Sequence, residues 1–87
     1  MWPKQNGAAI RDFRRKAGLK RRDLAERIGI TYPHVANIEN EHKDVSYEVL
    51  YRLAAILTVD IRSVLRNPPA LSEIAALTGT AEREQAS

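Results

Sequence analysis

Between Gly18 and Asn40 the chain reads GLKRRDLAERIGITYPHVANIEN, and this stretch limits the fold more than any other. Leu24, Ala25 and Ile28 mark one apolar face at helical spacing, and Val35 and Ile38 mark a second. Gly29 stands between them where the chain must reverse. It is followed by apolar Ile30 and by Thr31, a residue type that opens helices. The pattern predicts a helix over roughly 21–28 and another over roughly 32–39, joined by a tight turn. Pro33 fits because the first turn of a helix has no use for its missing N–H.

The flanks carry the same periodicity. Asn6 is a suitable N-cap for a first helix reaching about Ala17, with Ile10, Phe13 and Ala17 on one stripe and Gly18 as its stop. Arg11, Arg15 and Lys16 lie off that stripe and are expected in solvent. After a polar loop over 41–45, Ser46 caps a fourth helix with Val49, Leu50, Leu53, Ala54 and Leu57 on a broad apolar face. Asp60 caps a short fifth helix that turns Ile61, Val64 and Leu65 inward. Residues 1–6 read as a loose amino-terminal arm. Asn67-Pro68-Pro69 closes the domain, and 67–87 form an extension with a possible short helix (Leu71, Ile74, Ala75, Leu77) followed by a disordered tail.

Eighty-seven residues make one small domain, and the absence of cysteine excludes a disulfide framework and a thiolate metal site. The longest apolar run, Leu53 to Leu57, is too short to span a bilayer, and nothing resembles a signal peptide. The expectation is a soluble, cytoplasmic protein, bacterial or phage-encoded. The net charge of +3 hides an asymmetry: residues 1–27 hold nine Lys or Arg against three acids, whereas 28–87 hold five against eight. A basic amino-terminal half suits a polyanionic partner.

The segment resembles the phage-repressor-like (Cro and Xre type) helix-turn-helix domains. The resemblance is carried by Gly18, Leu19, Leu24, Ala25, Gly29, Ile30, Val35, Ile38, Glu39 and Asn40, and extends over about residues 7–66. Three positions depart from the usual run: Lys20 replaces a Ser cap, Arg21 replaces Gln, and Glu41 replaces Gly. The resemblance implies an all-α, five-helix, lambda-repressor-like domain that lays its third helix in the major groove of duplex DNA. It also implies an internal salt bridge between Arg14 and Glu39 that fixes the angle of that helix.

Helix geometry and the resemblance together assign base reading to Thr31, Tyr32, Pro33, Ala36 and Asn37. The Asn37 amide can accept from adenine N6–H and donate to N7 together, and Tyr32 offers a ring for a thymine methyl. Phosphate contact is assigned to Lys20, Arg21, Arg22, His34, Asn40 and Lys43. Cations at the start of a helix oppose its dipole at a cost of about 0.3–1 kcal/mol each. Lys20, Arg21 and Arg22 therefore make sense if a phosphate docks there. A metal role for His34 or His42 lacks further ligands at suitable spacing, and no cofactor is called for. An enzyme is disfavoured: there is no thiol nucleophile and no Gly-rich phosphate loop, and Asp23 and Glu26 sit among arginines as surface acids do.

The leading expectation is a sequence-specific transcriptional regulator, a repressor bound as a homodimer, with the fifth helix and the segment after Pro69 (Leu71, Ile74, Leu77) as the dimer surface. The alternative is an antitoxin or other partner-binding module on the same fold, engaging a protein through residues 67–87. A purely architectural DNA binder is a weaker third reading.

Overall fold

A helix begins cheaply where a side-chain oxygen can replace the missing partner of a backbone N–H. The computed structural model describes residues 4–66, and three of its four α-helices start this way. Asn6 Oδ1 accepts from the Ala9 N–H at 3.1 Å to open α1 (Gly7–Lys16). Thr31 Oγ1 accepts from the His34 N–H to open α3 (Tyr32–Glu39), and Ser46 Oγ from the Val49 N–H to open α4 (Tyr47–Leu57), each at 3.3 Å. The exception is α2 (Arg21–Ile28). Its N-cap Lys20 has no acceptor to offer, and the local compensation runs the other way, with Asp23 accepting from the Lys20 N–H at 2.9 Å.

All four helices finish with a residue in the left-handed conformation: Gly18 (φ 74°), Gly29 (φ 87°), Glu41 (φ 59°) and Thr58 (φ 60°). At Glu41 the Schellman pattern is complete. The Glu41 N–H donates to the Ile38 carbonyl at 3.2 Å and the His42 N–H to the Asn37 carbonyl at 2.9 Å. At the end of α2 a guanidinium assists, Arg52 Nη1 donating to the Ile28 carbonyl at 3.3 Å.

Four α-helices, not five, are present among the described residues. The fifth element is a single 3-10 turn, Ile61–Val64. Asp60 Oδ1 caps it through the Arg62 N–H at 2.8 Å, but Leu65 immediately turns extended and forms an antiparallel bridge with Gln5. That pairing takes the residue an α-helix would need for a second turn. Val64 and Leu65 are buried as expected; Ile61 is half-buried.

The helices close over Ile10, Leu24, Ala25, Ile28, Val35, Ile38, Leu50, Leu53, Leu57, Val64 and Leu65, each less than a tenth exposed. On α1 the stripe departs from expectation. Ala17 is exposed, Arg14 is buried in its place, and Arg11, expected in solvent, is half-buried. Both arginines lean toward the end of α3, drawn by a buried carboxylate.

The start of the chain is also not a loose arm over its described part. Gln5 is buried, and its Nε2 donates to the Lys43 carbonyl at 2.7 Å and the Ile38 carbonyl at 3.3 Å. The Asn6 N–H reaches the Val64 carbonyl, and the Arg66 N–H reaches the Lys4 carbonyl. One glutamine amide thereby pairs the Lys43 carbonyl of the loop and gives the Ile38 carbonyl a second donor beside the Glu41 N–H. The expectations for residues 1–3 and 67–87, including the short helix, the tail and the dimer segment, lie outside the described residues.

Candidate nucleic-acid interface

The turn at Gly29 and the buried pair Val35 and Ile38 fix how α3 sits: those two side chains are 1 % exposed, so the opposite side faces outward. On that side Thr31, Tyr32 and Pro33 are exposed at the amino-terminal end, Tyr32 at 49 %, while Ala36 and Asn37 are half-buried one turn later. His34 is half-buried at the flank. The five residues assigned to base reading therefore lie on the outward side of α3, exposed at its start and half-buried one turn later.

Beside that strip the start of α2 forms a depression of ≈ 410 Å³ lined by Arg14, Arg15, Leu19, Lys20, Arg21, Arg22 and Tyr32. Five of its seven lining residues are cationic, and it sits at the helix whose N-cap offers no side-chain acceptor. Lys20 and Arg22 have no acidic partner among the described residues. Arg21 does: its Nε donates to Glu39 Oε1 at 2.9 Å. That bond, opposed by burial and assisted by the Tyr32 hydroxyl, raises the Arg21 pKa above its ordinary value. Arg21 is thus held within the protein, unlike its neighbours Lys20 and Arg22.

Glu39 is the centre of this arrangement. Its side chain is fully buried, and Arg14 Nε donates to Oε2 at 2.6 Å while Arg14 Nη2 reaches Oε1 at 3.3 Å. Arg14 also donates to the Leu19 carbonyl at 2.9 Å, so the same side chain joins the end of α3 to the turn before α2. Burial alone pushes the Glu39 carboxyl up; the hydrogen bonds and charges of Arg14 and Arg21 outweigh it and hold the acid below its ordinary value. Arg11 completes the ring, with Nε 3.6 Å from Oε1.

Two residues further on, Glu41 occupies the place where the resemblance expects Gly. Its carboxylate accepts from the Gly7 N–H at 2.9 Å, at the start of α1, and pairs with Arg66 at 2.6 Å. The Arg66 pairing, then the Gly7 N–H, holds its pKa below the ordinary value. Its negative charge is therefore engaged away from the loop that carries Lys43. Asn40 is exposed at the end of α3, where its Oδ1 accepts from Arg11, and Lys43 is exposed in the loop.

Gln5, Arg11, Glu41 and Arg66 all shape this surface and were not assigned to it from sequence. Arg11 had a usable signal, because it lies three residues before Arg14 on the same helix face. Gln5 and Arg66 had none, since their partners are about 25–40 positions away in sequence.

The chain belongs to the helix-turn-helix family, of the Cro/Xre type, whose match covers residues 10–64. The propionyl-CoA carboxylase regulator of Cereibacter sphaeroides is 40% identical over 55 residues, 63% of this chain and 12% of that regulator. The chain therefore spans only 12% of the length of that relative. Among solved structures, the restriction-modification controller protein C.AhdI from Aeromonas hydrophila is 28% identical, with a TM-score of 0.63 over 66% of this chain and 86% of that one. SinR, the master regulator for biofilm formation from Bacillus subtilis, solved in complex with DNA, is 26% identical, with a TM-score of 0.62 over 66% and 95%. The family and fold are those of DNA-binding transcriptional regulators.

Proposed function

We propose that this chain is a sequence-specific double-stranded DNA-binding repressor that reads an operator half-site with α3 in the major groove. The observation that carries the reading is the pairing of two features: the outward strip of exposed Thr31, Tyr32 and Pro33 with half-buried Ala36 and Asn37, and the cationic depression beside it, where Lys20 and Arg22 are free to meet phosphate. Phosphates supply most of the affinity and base edges the discrimination. In this reading Asn37 contacts an adenine edge, Tyr32 a thymine methyl or base edge, and Lys20, Arg22, His34, Asn40 and Lys43 contact backbone. Arg21 serves from its bond to Glu39. A homodimer placing two copies of α3 about 34 Å apart would read half-sites one helical turn apart.

Selection of bound duplexes from a random pool tests the reading. A recovered pseudo-palindrome supports it, and recovery of unrelated sequences with steep salt dependence overturns specific recognition. On the selected site, Asn37→Ala is expected to cost about 1–3 kcal/mol of discrimination at one base pair. Unchanged preference would remove Asn37 from the reading surface.

A further inference from the structure

The loop after α3 has the wrong charge for a segment that follows a DNA-reading helix. Residues 41–45 hold Glu41 and Asp44 against one cation, Lys43, a net charge of −1 with His42 neutral. The negative end of the α3 dipole adds to the same repulsion. Glu41 also carries a backbone cost, since it adopts φ 59° where glycine would be unstrained. A short backbone seam brings two cations to this loop from remote parts of the chain. Leu65 bridges to Gln5, and the Arg66 N–H donates to the Lys4 carbonyl at 2.9 Å. From the seam Arg66 pairs with Glu41 at 2.6 Å and Lys4 with Asp44 at 3.2 Å. Each acid of the loop has its own cation, and loop with Lys4 and Arg66 carries +1.

We propose that this seam sets the sign of the α3–α4 loop, with Arg66 and Lys4 as positioning residues for DNA binding that touch no DNA themselves. They act through Glu41 and Asp44, cancelling two carboxylates that would repel an approaching phosphate. The inference rests on the DNA-binding reading above and adds two residues to which that reading gives no part. Exposed ion pairs stabilise a fold little, and the side chains of Lys4, Arg66 and Asp44 are 43, 50 and 92 % exposed. What such pairs change is the potential met by a charged partner. Arg66 is the stronger of the two covers, because it holds Glu41 by both Nε and Nη2, whereas Lys4 makes a single contact with Asp44. Opening the seam returns the loop to net negative charge.

The test measures binding of the full chain to a short mixed-sequence duplex across a KCl series, with thermal melting of each variant as the check on folding. Arg66→Gln is expected to weaken binding roughly two- to five-fold at low salt, the size of one exposed charge interaction, and Lys4→Gln by less. Both gaps should narrow as KCl rises. Glu41→Gln, which keeps an acceptor for the Gly7 N–H, should bind slightly tighter than wild type. Adding it to Arg66→Gln should return affinity to the wild-type value, and Asp44→Asn should do the same for Lys4→Gln. Arg62→Gln, an equal loss of charge at a residue paired with Asp60, should leave binding nearly unchanged. A loss at Arg66 that persists beside Glu41→Gln would show that Arg66 meets phosphate itself and would overturn the proposal. So would an equal loss at Arg62, or single variants that bind as wild type does. If Arg66→Gln melts early, Arg66→Lys and Glu41→Gln decide: retained affinity in the first and a gain in the second support the proposal, and weaker binding by either folded protein overturns it. Failure of the wild type to bind duplex even at low salt would overturn the DNA-binding reading as well.

Discussion

Glu39 and Glu41 lie two residues apart, and both carboxylates are held by arginine, yet they do different work. Glu39 is fully buried at its side chain, shared by Arg14 and Arg21, and joins α1, α2 and α3. Glu41 keeps contact with solvent, accepts from the Gly7 N–H, and ties the loop after α3 to the start of α1 and to Arg66. Removing one partner from a buried pair strands a charge in a poorly solvated place, whereas an exposed pair is screened and replaced by water. Similar pairings two residues apart therefore make one structural hub and one surface clasp.

The largest effect should come from Glu39→Ala, which leaves Arg14 buried without its counter-ion. A loss of about 3–5 kcal/mol is expected in urea unfolding, much of the total stability of so small a domain. Combining it with Arg14→Met should recover a good part of that loss, and no recovery would show that Glu39 acts otherwise than through the pair. Acid titration sharpens the same contrast. The folded-state pKa of both carboxyls is depressed, so their stabilisation is complete above the unfolded carboxyl value near ~4.3 and is lost as pH falls through the folded values. In ~1 M KCl the Glu41 part should shrink and the Glu39 part persist, because salt screens only the exposed pair strongly.

Next in size is Gly7→Ala. A Cβ there would run into the carbonyl oxygen of Glu39, which is backbone and cannot swing aside. Calorimetry should show a loss of about 1–3 kcal/mol, the usual cost of overpacking. Unaltered stability would mean that α1 and α3 can separate without cost at this crossing.

The smallest and most diagnostic comparison is Glu41→Gly against Thr58→Gly. Both residues sit in the left-handed conformation at a helix end, but only Glu41 uses its side chain to cap another helix. Relieving Thr58 should stabilise the protein by roughly 0.5–1 kcal/mol, after allowing for the freer unfolded chain. Relieving Glu41 should bring no gain, because the carboxylate is lost with the strain. Equal gains at both positions would show that the clasp contributes nothing to stability.

The helix boundaries were largely legible because their causes are local. Asn6, Thr31, Ser46 and Asp60 cap residues three or fewer positions away, and Lys20 stands out as the one N-cap with no oxygen. Gly18 and Gly29 announce helix ends by their residue type. Glu41 and Thr58 do the same job without announcing it, since each is unusual for the conformation it adopts. The outward side of α3 followed from periodicity once Val35 and Ile38 were placed inward. The division of labour among the arginines did not follow. Arg11, Arg14, Arg21 and Arg22 are the same residue type, and only the position of Glu39 separates those held inside from the one left free.

What this chain determines by itself is therefore short-range: where helices begin, where they stop, and which face of each is apolar, all set by contacts within one or two turns. The register between Gly7 and Glu39, the seating of Gln5 under the loop, and the partner chosen by each arginine were decided only when the helices packed. A side chain selects its partner by distance and by desolvation. Both are fixed by neighbours from remote parts of the chain, brought together when the apolar faces close.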